Sequence, residues 1–241
     1  MTRRTTHDIL SRIAAANWRL IAQTLNAYGN AVLPGLLSAA QCEALTAGYE
    51  HEQNYRSRIV MSRHGFGRGE YKYFAYPLPP LLDTLRHGLY PHLVPTANHW
   101  NQQLNINIEY PTKLDDFLAR CHAAGQKRPT PLILQYGPGD YNCLHQDLYG
   151  EHVFPLQVAI LLSEPECDFT GGQFVITEST AEGQRAQVAP LRQGDALIFA
   201  VNQRPEAGKR GRIRKVAMRH GVSAVSSGNR HTLGVIFHDA R

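Results

Sequence analysis

No apolar run in this 241-residue chain approaches the ~18 residues needed to cross a bilayer; the longest lies around Val158–Leu162. Met1–Leu10 is basic and polar, with no apolar stretch of the signal-peptide kind, so secretion and membrane insertion are not expected and a cytoplasmic protein is. Cysteine is scarce. Cys42, Cys121, Cys143 and Cys167 lie far apart with no C-x-x-C pair, which excludes zinc-finger and disulfide-scaffold readings and fits reduced thiols. Internal repeats and low-complexity tracts are absent as well. Charge is modest at 19% and nearly balanced, 25 Lys+Arg against 20 Asp+Glu, for a net +5. That surplus is not spread along the chain. Arg204–Arg219 holds seven basic residues and one acid, Glu206, for a net +6 that leaves −1 elsewhere. A globally basic protein is excluded; a near-neutral one with a single basic loop is expected.

A hydrophobic fraction of 43% is enough to build a sizeable core, and the length suits one domain spanning 1–241. The texture changes near residue 130. Before it, Ile9, Ile13, Ala16 and Leu20 recur at helical spacing over Ile9–Leu25, and Ser38 stands as N-cap to a helix over Ala39–Tyr49. Weaker helical segments at Asp83–Leu89, His99–Leu104 and Leu114–Ala123 are expected to be broken by Pro91, Pro95 and Pro111. After it come β-rich runs: Leu132–Tyr136, Tyr141–Asp147, Leu156–Leu162, Gln173–Thr177, Ala186–Ala189, Ala196–Val201, Ile213–Val225 with a break, and Thr232–His238. About eight strands at this spacing suit a sandwich, jelly roll or barrel. The expected class is therefore α+β, with 1–130 as mainly helical support and 131–241 as the β core.

Twelve histidines and 20 acids make about one His-x-acid spacing expected by chance, and the chain has one, His145-Gln146-Asp147. Its context is more informative than its spacing. On a strand, residues i and i+2 point to one face, so His145 and Asp147 can converge on one ion. Two histidines and a carboxylate form the facial triad of non-haem Fe(II) oxygenases. A third ligand has to come from a distant strand, with His220, His231 and His238 all open on the residues alone. The adjacent pair His238-Asp239 reads as surface.

The segment Leu134-Gln-Tyr136-Gly-Pro138-Gly139-Asp140-Tyr141-Asn-Cys-Leu144-His145-Gln-Asp147 resembles the first iron motif of the AlkB-like Fe(II)/2-oxoglutarate dioxygenases. Arg219-His220-Gly-Val222 through Gly228-Asn-Arg230-His-Thr-Leu233 resembles the distal motif of the wider superfamily, preceded by a strand-like Gly194-Asp195-Ala-Leu-Ile-Phe199. Val32-Leu-Pro-Gly35-Leu-Leu37 resembles its N-terminal support, so the likeness covers most of the chain. It implies a double-stranded β-helix (jelly-roll) core with N-terminal supporting helices. It also implies Fe(II) held by His145, Asp147 and His220, and 2-oxoglutarate as cosubstrate with O2. Arg230 would pair with the distal carboxylate of 2-oxoglutarate, and Tyr136 would donate a hydrogen bond to it. Leu134, Tyr149 and Ile236 depart from the AlkB-like pattern, and the ten-residue step from His220 to Arg230 is similar to that of prolyl-hydroxylase-type oxygenases.

The resemblance implies oxidation of an unactivated C–H bond, and two features bear on the substrate. Lys209, Arg210, Arg212 and Arg214 in the basic stretch could neutralise phosphates of DNA or RNA, and the stretch runs directly into His220. Gly69–Tyr76 clusters Tyr71 and Tyr73 with Lys72 where AlkB-like proteins carry a nucleotide-recognition lid, and these rings could stack on an extruded base. Three functions follow: an Fe(II)/2-oxoglutarate dioxygenase that oxidatively demethylates damaged or modified nucleic acid; the same chemistry on a peptide or free amino acid; and a non-enzymatic nucleic-acid-binding β module.

Overall fold

The computed structural model describes residues 3–148, 150–180, 183–208 and 211–241. The segment expected as one helix over Ile9–Leu25 forms two, α1 (Arg3–Ala15) and α2 (Trp18–Tyr28), because the Asn17 side chain accepts the Leu20 N–H at 3.1 Å and starts a new helix. After β1 (Asn30–Leu33), Ser38 opens α3 (Ala39–Ala47) with the expected cap: its hydroxyl accepts the Gln41 N–H, and the Gln41 side chain accepts the Ser38 N–H. Three strands then precede the long helices: β2 (Tyr55–Val60), β3 (Gly67–Arg68) and β4 (Glu70–Phe74).

Of the three prolines expected to break the next segment, Pro111 lies in the gap between two helices, but Pro91 and Pro95 break nothing. One helix, α4 (Pro80–Gln103), runs through Pro91 and Pro95, followed by α5 (Leu114–Ala123). Both internal prolines are exposed, while twelve residues of α4, among them Leu82, Leu85, Leu89, Leu93, Ala97 and Trp100, are buried. Each internal proline costs about 3 kcal/mol, and each large apolar side chain buried returns about 1.5–3 kcal/mol, so the buried stripe outweighs them. Pro80 sits in the first turn, where its missing N–H is no loss.

Beyond residue 130 the described elements are strands joined by turns and loops. The strands are β5 (Leu132–Tyr136), β6 (Tyr141–His145), β7 (Leu156–Leu161), β8 (Phe169–Gly171), β9 (Phe174–Thr180), β10 (Gly183–Ala189), β11 (Ala196–Ala200), β12 (Gln203–Ala207), β13 (Ile213–Val222), β14 (Val225–Gly228) and β15 (Arg230–Val235). A seven-stranded sheet runs β1-β11-β7-β15-β5-β4-β2, and a smaller one runs β10-β9-β13-β6-β3 with β12 also paired to β13. All these pairings are antiparallel. The first 130 residues are thus not only helical support: they supply β1, β2 and β4 to one sheet and β3 to the other, and β4 pairs with β5 across the expected division. The fold is mixed helix and antiparallel sheet. No helix among the described residues is long and apolar enough to cross a membrane.

His238 and Asp239 are fully buried, not at the surface. Asp239 accepts from Arg86 at 2.7 Å, Tyr76 at 2.9 Å and His122 at 2.8 Å, which neutralises a buried charge. His238 Nδ1 accepts the Phe154 N–H at 3.3 Å, and its Nε2 has no partner among the described residues. Burial, and next the Arg86 charge, lower this imidazole from 6.5 to about 4. Between those values the unfolded chain binds the proton and the folded one does not, so acid favours unfolding. The contribution is whole above pH 6.5 and is lost as pH falls toward 4, about 3 kcal/mol in all. Urea denaturation near neutrality and near pH 4.5 should show wild type losing more stability than His238→Gln by about that amount; equal losses would refute it.

Candidate metal centre

The motif strand and the distal strand lie side by side. His145 is the last residue of β6 and stands directly opposite His220 on β13, their rings 4.2 Å apart. Asp147 follows two residues later and reaches both: its carboxylate oxygens lie 3.4 Å from His145 Nε2 and 3.3 Å from His220 Nε2. One ligand atom from each of the three residues falls within 4.8 Å of the others. Ligands bound about 2.1 Å from an ion at right angles stand about 3 Å apart, so these spacings suit a facial set. His145 Nδ1 lies 2.8 Å from the Cys143 carbonyl, which places a proton on Nδ1 and turns Nε2 toward Asp147. Neither His231 nor His238 belongs to the group.

Electrostatics fit the same use. Burial alone would raise the Asp147 carboxyl, but hydrogen bonds from His145 and His220 outweigh it and hold the group ionised. Burial lowers the His220 imidazole, keeping it neutral. For His145 the burial effect is overcome by Asp147, and its pKa is raised. His220 is fixed between Phe174, stacked at 5.8 Å, and Phe199 at 4.6 Å.

A cavity of about 250 Å³ opens beside the three residues, between the two sheets. Its far wall carries Arg230, the first residue of β15, in register with Tyr136 on β5. The Arg230 guanidinium is buried, lies 5.7 Å from the Tyr136 ring and donates to Thr232 Oγ1 at 2.6 Å. It has no acidic partner among the described residues, and its Nε has no hydrogen bond. Burial lowers its pKa to about 10. The Tyr136 hydroxyl is also buried without a hydrogen bond; the Asn142 amide lies beside it but outside hydrogen-bonding geometry, and burial raises the phenol. Gly172 leaves this room, since a Cβ there would stand 2.9 Å from Arg230 Cδ. Among the cavity residues that escaped the sequence reading are Thr232 and Gln157, whose buried Nε2 lacks a partner among the described residues. Gln157 did leave a signal: it is the one polar residue in the wholly buried strand Leu156–Leu161.

Tyr71 and Tyr73 line the cavity in edge contact at 5.3 Å. Lys72 between them points the other way, 2.6 Å from Glu52 and 4.2 Å above the Tyr49 ring, so its charge is used inside the fold. The basic stretch is not a loop at the cavity. It forms the hairpin β12–β13, and Arg204 is buried, pairing with Glu178 at 2.7 Å and Glu206 at 2.9 Å. Arg214 is half-buried and pairs with Glu206. Lys209 and Arg210 lie outside the described residues. Arg212 is exposed eight residues before His220, which along a strand is roughly 26 Å. Alternation sends Lys215 and Arg219 to the solvent face opposite His220.

Residues 69–240 match the Oxygenase-NA family, described as an oxygenase catalysing oxidative methylation of damaged DNA. The chain belongs to the Oxygenase-NA family. Uncharacterized proteins of two Mycobacterium tuberculosis strains are 48% identical to it over 168 residues, 69% of this chain and 72% of theirs. Among solved structures, a Pseudomonas putida prolyl-4-hydroxylase aligns at TM-score 0.53 and 15% identity, covering 93% of this chain and 99% of its own. A 2OG-Fe(II) oxygenase family oxidoreductase from Burkholderia pseudomallei aligns at TM-score 0.54 and 16% identity, covering 94% and 93%. At such identities the shared property is the fold. This Oxygenase-NA protein is an oxidoreductase with the fold of the 2OG-Fe(II) oxygenases, and iron(II) and 2-oxoglutarate are the cofactors that fold family implies. The His-Asp-His donor set fits the iron, and the buried unpaired guanidinium fits a carboxylate.

Proposed function

We propose that this Oxygenase-NA protein is an Fe(II)- and 2-oxoglutarate-dependent dioxygenase of modified nucleic acid, removing N-methyl groups from damaged bases. The observation that carries the oxygenase reading is the buried Arg230, unpaired among the described residues, in the same cavity as His145, Asp147 and His220. A buried cation without an acid is costly, and a bound dicarboxylate relieves it. In this reading the two sheets are the walls of a double-stranded β-helix. His145, Asp147 and His220 hold the iron, and Arg230 takes the distal carboxylate of 2-oxoglutarate with Tyr136 and Gln157 as further donors.

With O2, the bound iron and 2-oxoglutarate supply oxidation of an unactivated C–H bond, 2-oxoglutarate leaving as succinate and CO2. The chain's own residues position and exclude water: Phe174 and Phe199 hold the His220 ring, and Thr232 aims Arg230. Tyr71 and Tyr73 stand on the wall available to a base. Hydroxylation of an N-methyl carbon gives a hemiaminal that releases formaldehyde and leaves the amine.

The family description supports a nucleic-acid substrate, and so does the cavity mouth. Phe66 lines the cavity yet is 42% exposed, and His64 stacks on it at 5.5 Å. Arg63 and Arg68, both exposed, flank them in the chain, Arg68 lying 3.8 Å from Asp140. An exposed aromatic ring with cations nearby in the chain suits a base and its neighbouring phosphates. The exposed hairpin residues Lys215 and Arg219 offer a second cationic surface, and mutation separates the two. Arg63→Glu with Arg68→Glu should raise the KM for a methylated single-stranded oligonucleotide about tenfold or more and reduce its salt dependence. Lys215→Glu with Arg219→Glu should leave both within twofold; the reverse pattern would assign the strand to the hairpin.

The ten-residue step from His220 to Arg230 favours peptide hydroxylation as the second reading. Anaerobic titration with Fe(II) and 2-oxoglutarate, followed by mass spectrometry of methylated DNA, methylated RNA and a peptide panel, tests the assignment. A charge-transfer band and loss of one methyl from an oligonucleotide are expected. Turnover of peptide alone would replace the substrate, and absence of the band would defeat both enzyme readings.

A further inference from the structure

We infer that Gln146, the residue between His145 and Asp147, is the positioning residue of the metal pocket, clamping the segment that carries Asp147 to the strand that carries His220; this rests on the metal-centre reading above. The three ligands are not equally held. His145 and His220 face each other in register across β6 and β13, but β6 ends at His145, so Asp147 stands beyond the ladder. The ladder itself is irregular, with a register shift between His220 and Val222. Strand pairing alone therefore does not set where the carboxylate lies relative to His220.

The Gln146 side chain makes that connection. Its Nε2 donates to the Met218 carbonyl at 2.8 Å and to the Asn202 carbonyl at 2.8 Å, which uses both of its N–H groups. Met218 lies two residues before His220 on the same strand, with its side chain fully buried, so that acceptor is on a fixed support. The Met218 N–H also donates to the Asn202 carbonyl, at 2.8 Å. One amide thus joins the β11–β12 connection, the distal strand and the motif. The amide has one workable orientation, since turning it would set its oxygen against two carbonyl oxygens. Asp147 is the next residue after this anchor, and its oxygens sit 3.4 and 3.3 Å from the two imidazoles.

Gln146→Met keeps the length and removes both donors, while Gln146→Glu keeps the shape and turns a carboxylate on two carbonyls. Metal affinity of the apo-protein is read with Co(II) by absorption and with Fe(II) plus 2-oxoglutarate by the charge-transfer band, beside the Tm without metal. The metal Kd should rise about 10- to 100-fold in Gln146→Met, the range typical of residues that orient ligands, and further in Gln146→Glu. Tm without metal should fall by only a few degrees, about what two lost hydrogen bonds explain. Gln146→Asn, one methylene too short to reach both carbonyls, should also weaken metal binding and serves if Gln146→Met does not fold. Wild-type metal affinity in the variants, with only the Tm lowered, would reduce Gln146 to a structural tie and overturn the inference. No metal binding by the wild-type protein would instead overturn the metal centre itself.

Discussion

Asp147→Ala is expected to reduce 2-oxoglutarate-dependent succinate formation by a factor on the order of 10³ or more, with the fold retained. Asp147 is the only carboxylate of the three-residue group and is held ionised inside the protein by His145 and His220. Without it, two neutral imidazoles would have to hold a dication in a largely apolar cavity with no compensating charge. The fold has little reason to fail, because the substitution deletes a buried charge and interrupts no strand: β6 ends two residues earlier. Circular dichroism checks the fold, and succinate release under saturating iron checks the chemistry. Activity within tenfold of wild type would remove Asp147 from the metal centre, and His145→Ala carries the same expectation.

Arg230→Met is expected to raise the 2-oxoglutarate requirement by about 30-fold at least and about 5 × 10³-fold at most, from the 2–5 kcal/mol typical of breaking a buried charge pair. The same change should not lower the Tm of the cofactor-free protein. A buried guanidinium with no acid beside it among the described residues, its pKa pulled down to about 10 by desolvation, is a burden on the fold. Its Thr232 hydrogen bond is the main loss in the free protein. Binding and stability thus move in opposite directions, as expected of a residue kept for a ligand. Calorimetric titration and thermal unfolding on one preparation decide it. An unchanged requirement would mean that another cation holds the cosubstrate, and a large drop in Tm would make Arg230 structural.

Parts of the site were legible because their signals are short. His145 and Asp147 are two apart in the chain, a spacing that keeps both donors within reach of one ion even though β6 ends at His145. Ser38 announced its helix three residues ahead of Gln41 by the same locality. Signals whose meaning depends on a distant partner were misread. Pro91 and Pro95 look like helix breaks until the buried stripe beneath them is counted. Arg204 looks like a free cation until Glu178, 26 residues earlier, is brought against it across the smaller sheet. His238 looks exposed until the last residues are seen tied to Arg86 on α4 by Asp239.

The sequence by itself determined the donor types, the spacing of His145 and Asp147, the ten-residue step from His220 to Arg230 and the location of the charge surplus in Arg204–Arg219. Only the tertiary structure decided where that surplus points. Strand alternation and ion pairing depend on which strands lie side by side, and no local pattern encodes that. Antiparallel pairing of β13 with β6 brings His220 to His145, and the same pairing turns Lys215 and Arg219 to the opposite face. One register thus builds the metal site and carries the neighbouring charges away from it.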